Sequence, residues 1–177
     1  MSFGIDESLE RVSVSVAVLT VSDTRTEETD SSGRLLVDRV RAAGHRVHTK
    51  LILTDDRELI VAQLRSWIAS GAVDVVLITG GTGITGRDVT PDALLDVIEK
   101  EIPGFGEQLR QLSLKTVGLS AIQSRATAGV AASTLLFAIP GSTGACRDAW
   151  DEILVHQLDS RYRPCNLVEM LPRLGER

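Results

Sequence analysis

The 177 residues are 43% apolar and 24% charged, the make-up of one ordinary globular domain and too apolar for a disordered chain. With 19 basic against 24 acidic residues the net charge is −5, which offers no basic field to a nucleic-acid backbone, and 3% aromatics build no base-stacking platform. No apolar run approaches the roughly 20 residues of a membrane helix, and Met1–Glu10 lacks the basic and apolar regions of a secretion signal, so a cytoplasmic protein with neither nucleic-acid nor membrane partners is expected.

Apolar runs alternate with helical patterns along the chain, which predicts an α/β domain with a mostly parallel sheet and a core over about residues 12–172. Val12–Val21 reads as the first strand, continuously apolar toward its end as when helices cover both faces. A helix follows from Ser32, with Leu36, Val40 and Ala43 inward and Gly44 at its end, and Val47–Leu53 is the second strand. Asp55-Asp-Arg-Glu58 has the form of a capping box, opening a helix that buries Ile60, Leu64, Trp67 and Ile68. Val73–Ile78, the most apolar run, is the central strand. Thr90-Pro91 predicts an N-cap and first turn for a helix to Lys100, and Pro103-Gly104 precedes a short helix with Phe105, Leu109 and Leu112. Lys115–Ser133 has no clear pattern. Thr134–Ile139 is a further strand, and Cys146, Ala149, Trp150, Ile153 and Leu154 repeat with helical spacing, which makes Cys146 a packing residue.

In an open parallel sheet, ligands bind beyond the carboxyl ends of the strands. The polar loops fall there: Ser22-Asp-Thr-Arg25, Asp55-Asp56, Thr79-Gly-Gly-Thr-Gly83 with Arg87-Asp-Val-Thr-Pro91, and Pro140-Gly-Ser-Thr-Gly144. Glycines without Cβ atoms let backbone N–H groups approach an anion, and carboxylates beside such a loop suit Mg²⁺, which takes a few carboxylate oxygens plus phosphates. Competing motifs fail. No Gly-x-x-x-x-Gly-Lys-[Ser/Thr] occurs, and Gly81-Thr-Gly-Ile-Thr-Gly86 follows the third strand, without the immediate helix and later acidic strand end of a dinucleotide fold. His45, His48 and His156 show no metal-ligand pairing, and Gly141-Ser142 lacks the nucleophile elbow of a serine hydrolase.

Thr79-Gly-Gly-Thr-Gly83, Arg87-Asp-Val-Thr-Pro-Asp-Ala93, Pro103-Gly-Phe-Gly-Glu107 and Pro140-Gly-Ser142, in this order, resemble the molybdopterin-binding domain of molybdenum-cofactor biosynthesis. The resemblance runs from about Val14 to Leu171, and Gln123–Gly129 and Gln157–Asn166 are similar to one branch of that family. It implies a three-layer α/β/α fold, a homotrimer or homohexamer, and binding of the pterin dithiolene phosphate. The family's catalytic branch adenylates molybdopterin with Mg-ATP and releases pyrophosphate. On that resemblance Gly80, Gly81, Thr82 and Gly83 match the nucleotide-phosphate loop, with Ser22 and Asp23 beside it. Asp55 and Asp88 match the two acidic catalytic positions, with Mg²⁺ as their metal, and Gly141 and Ser142 match the loop near the pterin. The alternative is a non-catalytic, pterin-binding or carrier member.

Plainer roles stand beside these: Asp55 as a helix cap, Asp88 as a turn residue, Ser142 as a cap. A side chain at Gly81 is expected to cost phosphate binding with little loss of fold. Asp88 is expected to serve chemistry more than folding, because Thr90 already caps the following helix.

Overall fold

In the computed structural model, which describes residues 3–176, a short strand β1 (Gly4–Ile5) precedes β2 (Ser15–Val21), α1 (Ser31–Ala42), β3 (Arg46–Leu53), α2 (Arg57–Ser70) and β4 (Val75–Thr79). Then come α3 (Thr90–Leu95), β5 (Lys100–Glu101), α4 (Pro103–Val117), β6 (Thr127–Ala131) and β7 (Thr134–Ile139). α5 (Thr143–Ala149) continues through a π-turn at Trp150–Leu154 into α6 (Val155–Gln157), and β8 (Tyr162–Arg163) pairs antiparallel with β1. Met1 and Ser2, the start of the stretch read above for a secretion signal, lie outside the described residues. Among the described residues no helix is long and apolar enough to cross a membrane.

The main sheet has six strands in the order β3-β2-β4-β7-β6-β5. β3, β2, β4 and β7 run parallel, while β6 and β5 join antiparallel at one edge. Successive side chains on a strand point to opposite faces, so β2 feeds two cores. Val16 and Val18 pack with Leu36 and Val40 of α1, Phe105 and Leu109 of α4, and Trp150. Ala17, Leu19 and Val21 pack with Ile60, Leu64 and Trp67 of α2 and Ala93 and Leu94 of α3. Helices therefore cover both faces, and β4 is central and fully buried, as its apolar run predicts.

Four expectations need correcting. The first strand begins at Ser15, not Val12, since Val12 is half exposed beyond the helix layers. The helix after Pro91 stops at Leu95, because Lys100 and Glu101 leave the helical path to pair with Val130 and Gly129 on the edge strand. Thr90 does not cap it. Val89 holds the cap position without a side-chain hydrogen bond, and Thr90 is already helical. The helix at Pro103 is long, 15 residues, and with a 3-10 turn at Gly118–Gln123 and β6 it accounts for most of the patternless Lys115–Ser133 stretch. Cys146 is fully buried, and burial pushes its thiol up to about 11.

Candidate functional site

The carboxyl ends of β2, β3, β4 and β7 surround a cleft of about 240 Å³ whose wall includes Thr20, Ser22, Asp55, Gly80, Gly81 and Gly141. Backbone packs directly on backbone here. Gly80 has φ +106°, and a Cβ on it would lie 2.1 Å from the Val21 carbonyl oxygen; one on Gly141 would lie 3.1 Å from Gly80 Cα. Gly81 has φ +61°, and its missing Cβ would stand 2.6 Å from Thr90 Oγ1 and 3.0 Å from Asp55 Oδ1. A side chain at Gly81 therefore collides with the protein itself, so the expectation that it would cost binding but little folding does not hold. The Gly80 N–H is also taken, donating to the Ile139 carbonyl at 3.0 Å.

Three carboxylates behave differently. The capping box predicted from Asp55 is replaced by a cap from Asp56, whose side chain accepts the Leu59 N–H at 3.1 Å. That releases Asp55 to the cleft. Its Oδ2 accepts the Asp23 N–H at 3.0 Å, and Asp23 Oδ1 accepts the Asp55 N–H at 3.2 Å, so the two residues tie the ends of β2 and β3 together. Burial, then the neighbouring Asp23 carboxylate, push the Asp55 carboxyl above its ordinary range. Asp23 is held below its own by Arg87, whose guanidinium donates to Oδ2.

Asp88 is a loop brace. Its Oδ2 accepts the Thr85 N–H at 2.8 Å and the Thr85 hydroxyl at 2.6 Å, bonds that lower its carboxyl, and the carboxylate lies against Gly83. With Thr90 supplying no cap, Asp88 does more for the fold than its sequence position suggests. Thr82, Gly83 and Asp88 belong to this braced loop and stand outside the cleft wall. Ser22 closes its own turn by accepting the Thr24 and Arg25 N–H groups, both at 3.2 Å. Ser142 is the N-cap of α5, accepting the Ala145 N–H at 3.1 Å, and it lines a neighbouring cleft of about 310 Å³ with Ser113, Ser120 and Ser124.

Several contributors carry no local signal in the sequence. Arg125 clamps the glycine loop: Nε donates to the Gly83 carbonyl at 2.7 Å, Nη2 to the Asp88 carbonyl, and the same fork pairs with Asp92. Asp30, 1% exposed, caps α1 through the Gly33 N–H at 2.9 Å and accepts the Thr20 hydroxyl at 2.8 Å. Burial pushes its carboxyl up, but Lys50 at 2.8 Å and these two donors outweigh that and leave it below the ordinary value. Thr90 Oγ1 is the one buried side-chain polar atom among the described residues without a hydrogen-bond partner. Only the spacing Asp30-x-x-Gly33, a cap form, could have pointed to any of them.

Does a metal fit? No group of three His, Cys, Asp or Glu among the described residues makes a ready cage. Mg²⁺ needs less, one or two carboxylates completed by phosphates and water. Asp55 suits it: an all-oxygen donor at the cleft wall, its charge disfavoured by burial and then by Asp23, and only partly offset by the nearby Arg87. Asp88 suits it less, since its accepting oxygen is already used.

Comparison with known proteins agrees with this architecture. Residues 17–160 match the family model described as "Probable molybdopterin binding domain". The Molybdenum cofactor biosynthesis protein B of Escherichia coli K12 is 54% identical over 159 residues, covering 90% of this chain and 94% of that protein. A crystal structure of a Molybdenum cofactor biosynthesis protein B superposes with a TM-score of 0.84 at 39% identity, over 96% of this chain and 100% of that one. The tungsten cofactor synthesizing protein MoaB from Pyrococcus furiosus superposes with a TM-score of 0.76 at 30% identity, over 93% and 98%.

Proposed function

The chain belongs to the molybdopterin-binding domain family and has a role in molybdenum cofactor biosynthesis, and from that premise we propose that it adenylates the phosphate of molybdopterin with Mg-ATP. In this reaction a terminal phosphate oxygen of molybdopterin forms a bond to the α-phosphorus of ATP. The bond from that phosphorus to the bridging oxygen breaks, and pyrophosphate leaves with the electron pair. Such a transfer asks a protein for positioning and charge neutralisation more than for covalent chemistry.

The observation that carries the reading is Asp55, a carboxylate raised above its ordinary range by burial and then by Asp23, standing 3.0 Å from where a Gly81 Cβ would be, in a cleft lined by glycine backbone, hydroxyls, Arg25 and Asp30. Asp55 would hold Mg²⁺, with Asp23 beside it, and the metal would supply charge neutralisation on the phosphates. Gly80, Gly81 and Gly141, by lacking side chains, let these loops pack on one another, on Val21 and on Thr90, which brings their backbone to the cleft wall where a phosphate chain would lie. The Gly81 N–H would supply a donor at the cleft wall and the Thr82 N–H one at its rim, since Gly80 is engaged with Ile139 and Gly83 faces Asp88. Ser142 and the serine-lined cleft beside it would receive the pterin end. Asp88 shapes the loop that presents these donors.

Pyrophosphate release from ATP in the presence of molybdopterin tests the reading. Turnover in the parent protein and its loss in Asp55→Asn support it; tight pterin binding with no pyrophosphate would identify a carrier instead. We also propose a homotrimer or homohexamer, supported by apolar side chains left bare on one segment: Val117 is 56% exposed, Leu119 79% and Ile122 77%. Light scattering that gave the 19.1 kDa mass of one chain would reject assembly.

A further inference from the structure

Charge around the cleft is acidic: Asp23, Asp30, Asp55 and Asp88 gather where a polyphosphate would have to enter. Arg125 stands by Asp88, committed to the loop carbonyls and to Asp92, and three further cations stand near. Lys50 is committed to Asp30 and Glu27, each at 2.8 Å, and Arg25 is turned to the Thr29 carbonyl at 2.8 Å. The third is Arg87, whose Nε at 3.0 Å and Nη2 both donate to one oxygen of Asp23. That pair is open to water, with side chains 66% and 40% exposed.

Resting on the nucleotide-binding reading above, we propose that Arg87 is a polyphosphate-binding residue held in reserve by Asp23, and that its guanidinium passes from Asp23 to the phosphate chain when nucleotide enters. Four features favour the exchange. An exposed ion pair is among the weakest of protein contacts and exchanges readily. Both N–H groups converge on a single carboxylate oxygen, so the fork that matches two phosphate oxygens is not used to its capacity. The loop bearing Arg87 is braced at its base, by Asp88 on Thr85 and by Arg125 on the Gly83 and Asp88 carbonyls, so the side chain can turn without unfolding the loop. Finally, Asp23 and Asp55 hold each other's N–H groups. Removing Arg87 from Asp23 leaves two adjacent carboxylates without a cation at the moment the anion arrives. Divalent cation and polyphosphate then bind cooperatively, each improving the other's affinity by the same factor.

Calorimetry on the full chain with inorganic tripolyphosphate, ATP and adenosine, with and without Mg²⁺, tests this. Arg87→Gln should weaken tripolyphosphate and ATP by about tenfold or more, leave adenosine unchanged, and reduce the coupling between Mg²⁺ and tripolyphosphate. Arg87→Lys, which keeps the charge but not the fork, should fall between. Asp23→Asn should strengthen Mg²⁺-free tripolyphosphate binding, and that gain should vanish in the Asp23→Asn/Arg87→Gln double variant. Arg87→Gln that binds ATP as the parent does leaves the nucleotide reading standing and overturns the role of Arg87. An Asp23→Asn gain that persists without Arg87 overturns it too. A parent protein that binds neither ATP nor tripolyphosphate overturns both.

Discussion

Two clefts at opposite ends of the sheet are both lined by Arg and Asp, and differ in how charge is settled. The one where β2 and β3 begin is the larger, about 350 Å³ against about 240 Å³ at the strand carboxyl ends. There Arg39 pairs in two-pronged fashion with Asp151 at 2.8 and 3.0 Å. Asp159 accepts from the Arg161 N–H, Nε and Nη2 and from Arg11, which together hold its carboxyl far below the ordinary range. His45 accepts the Val14 N–H through Nδ1 at 3.3 Å, and burial, then Arg11, lower its basicity. Each Arg and Asp lining that cleft is ion-paired within the fold. At the carboxyl end Asp55 accepts only the Asp23 N–H and is in no ion pair among the described residues, its carboxyl is raised, and glycine backbone reaches the wall. Volume therefore does not single out the candidate site; a raised carboxylate beside close-packed backbone does.

The sharpest way to break this contrast is chemical. Asp55→Asn should lower adenylylation by about 10²–10³ in rate, the cost of one contact made in the transition state, whereas Asp159→Asn should leave the rate per folded molecule unchanged. Pyrophosphate assays on both variants check it.

Backbone crowding comes next. Gly80→Ala puts a Cβ 2.1 Å from the Val21 carbonyl at positive φ and should cost roughly 2–4 kcal/mol. Gly86→Ala, with nothing within 4 Å of its Cβ position, should stay within about 0.5 kcal/mol. Melting curves separate the two.

Stability against pH should then show opposite signs at the two ends. Asp159 is depressed below its ordinary value of 3.8, so its contribution is present above that value and is lost as pH falls toward the folded one. Asp159→Asn should cost about 1–3 kcal/mol at neutral pH and flatten the acid limb of a melting series. Asp55 is raised above 3.8, so its contribution is present below that value and lost as pH rises through the folded one. Asp55→Asn should therefore melt slightly later than the parent at neutral pH. An earlier melt would mean that the carboxylate is scaffold.

The smallest expected effect is at Thr90. Thr90→Val removes a buried hydroxyl that has no partner, at equal volume, and should gain up to about 1 kcal/mol. A loss of that size, by the same melting measurement, would show that the hydroxyl finds a partner in solution.

Much of this was legible in advance. Alternating apolar runs with helical repeats between them defined β2, α1, β3, α2, β4 and β7, because burial on a two-sided sheet forces that pattern. That the loops at the strand carboxyl ends share one edge was legible too, because strands that run parallel place their following loops on the same side of the sheet. Individual roles were less so. Asp55 and Asp56 are equally good caps on paper, and only the angle at which the chain leaves β3 put Asp56 on the Leu59 N–H and Asp55 over Gly81. Thr90 had the form of a cap, but the helix began one residue earlier than that pattern requires. Lys100 reads as the end of a helical run, but β6, distant in sequence, offers Lys100 and Glu101 a strand edge.

What the sequence by itself determined is therefore the local and periodic part: the strands and helices with a clear apolar period, which of their faces are apolar, and which loops share an edge. Tertiary structure alone decided which atoms meet. Arg125 reaches the Gly83 and Asp88 carbonyls from 37 or more positions away, Arg87 reaches Asp23 across 64, and Asp23 and Asp55 exchange N–H bonds across 32. Hydrogen bonds and ion pairs act over a few ångströms of space whatever their separation along the chain, so no spacing rule encodes them. The charge left open at Asp55 exists only once the sheet has brought those loops together.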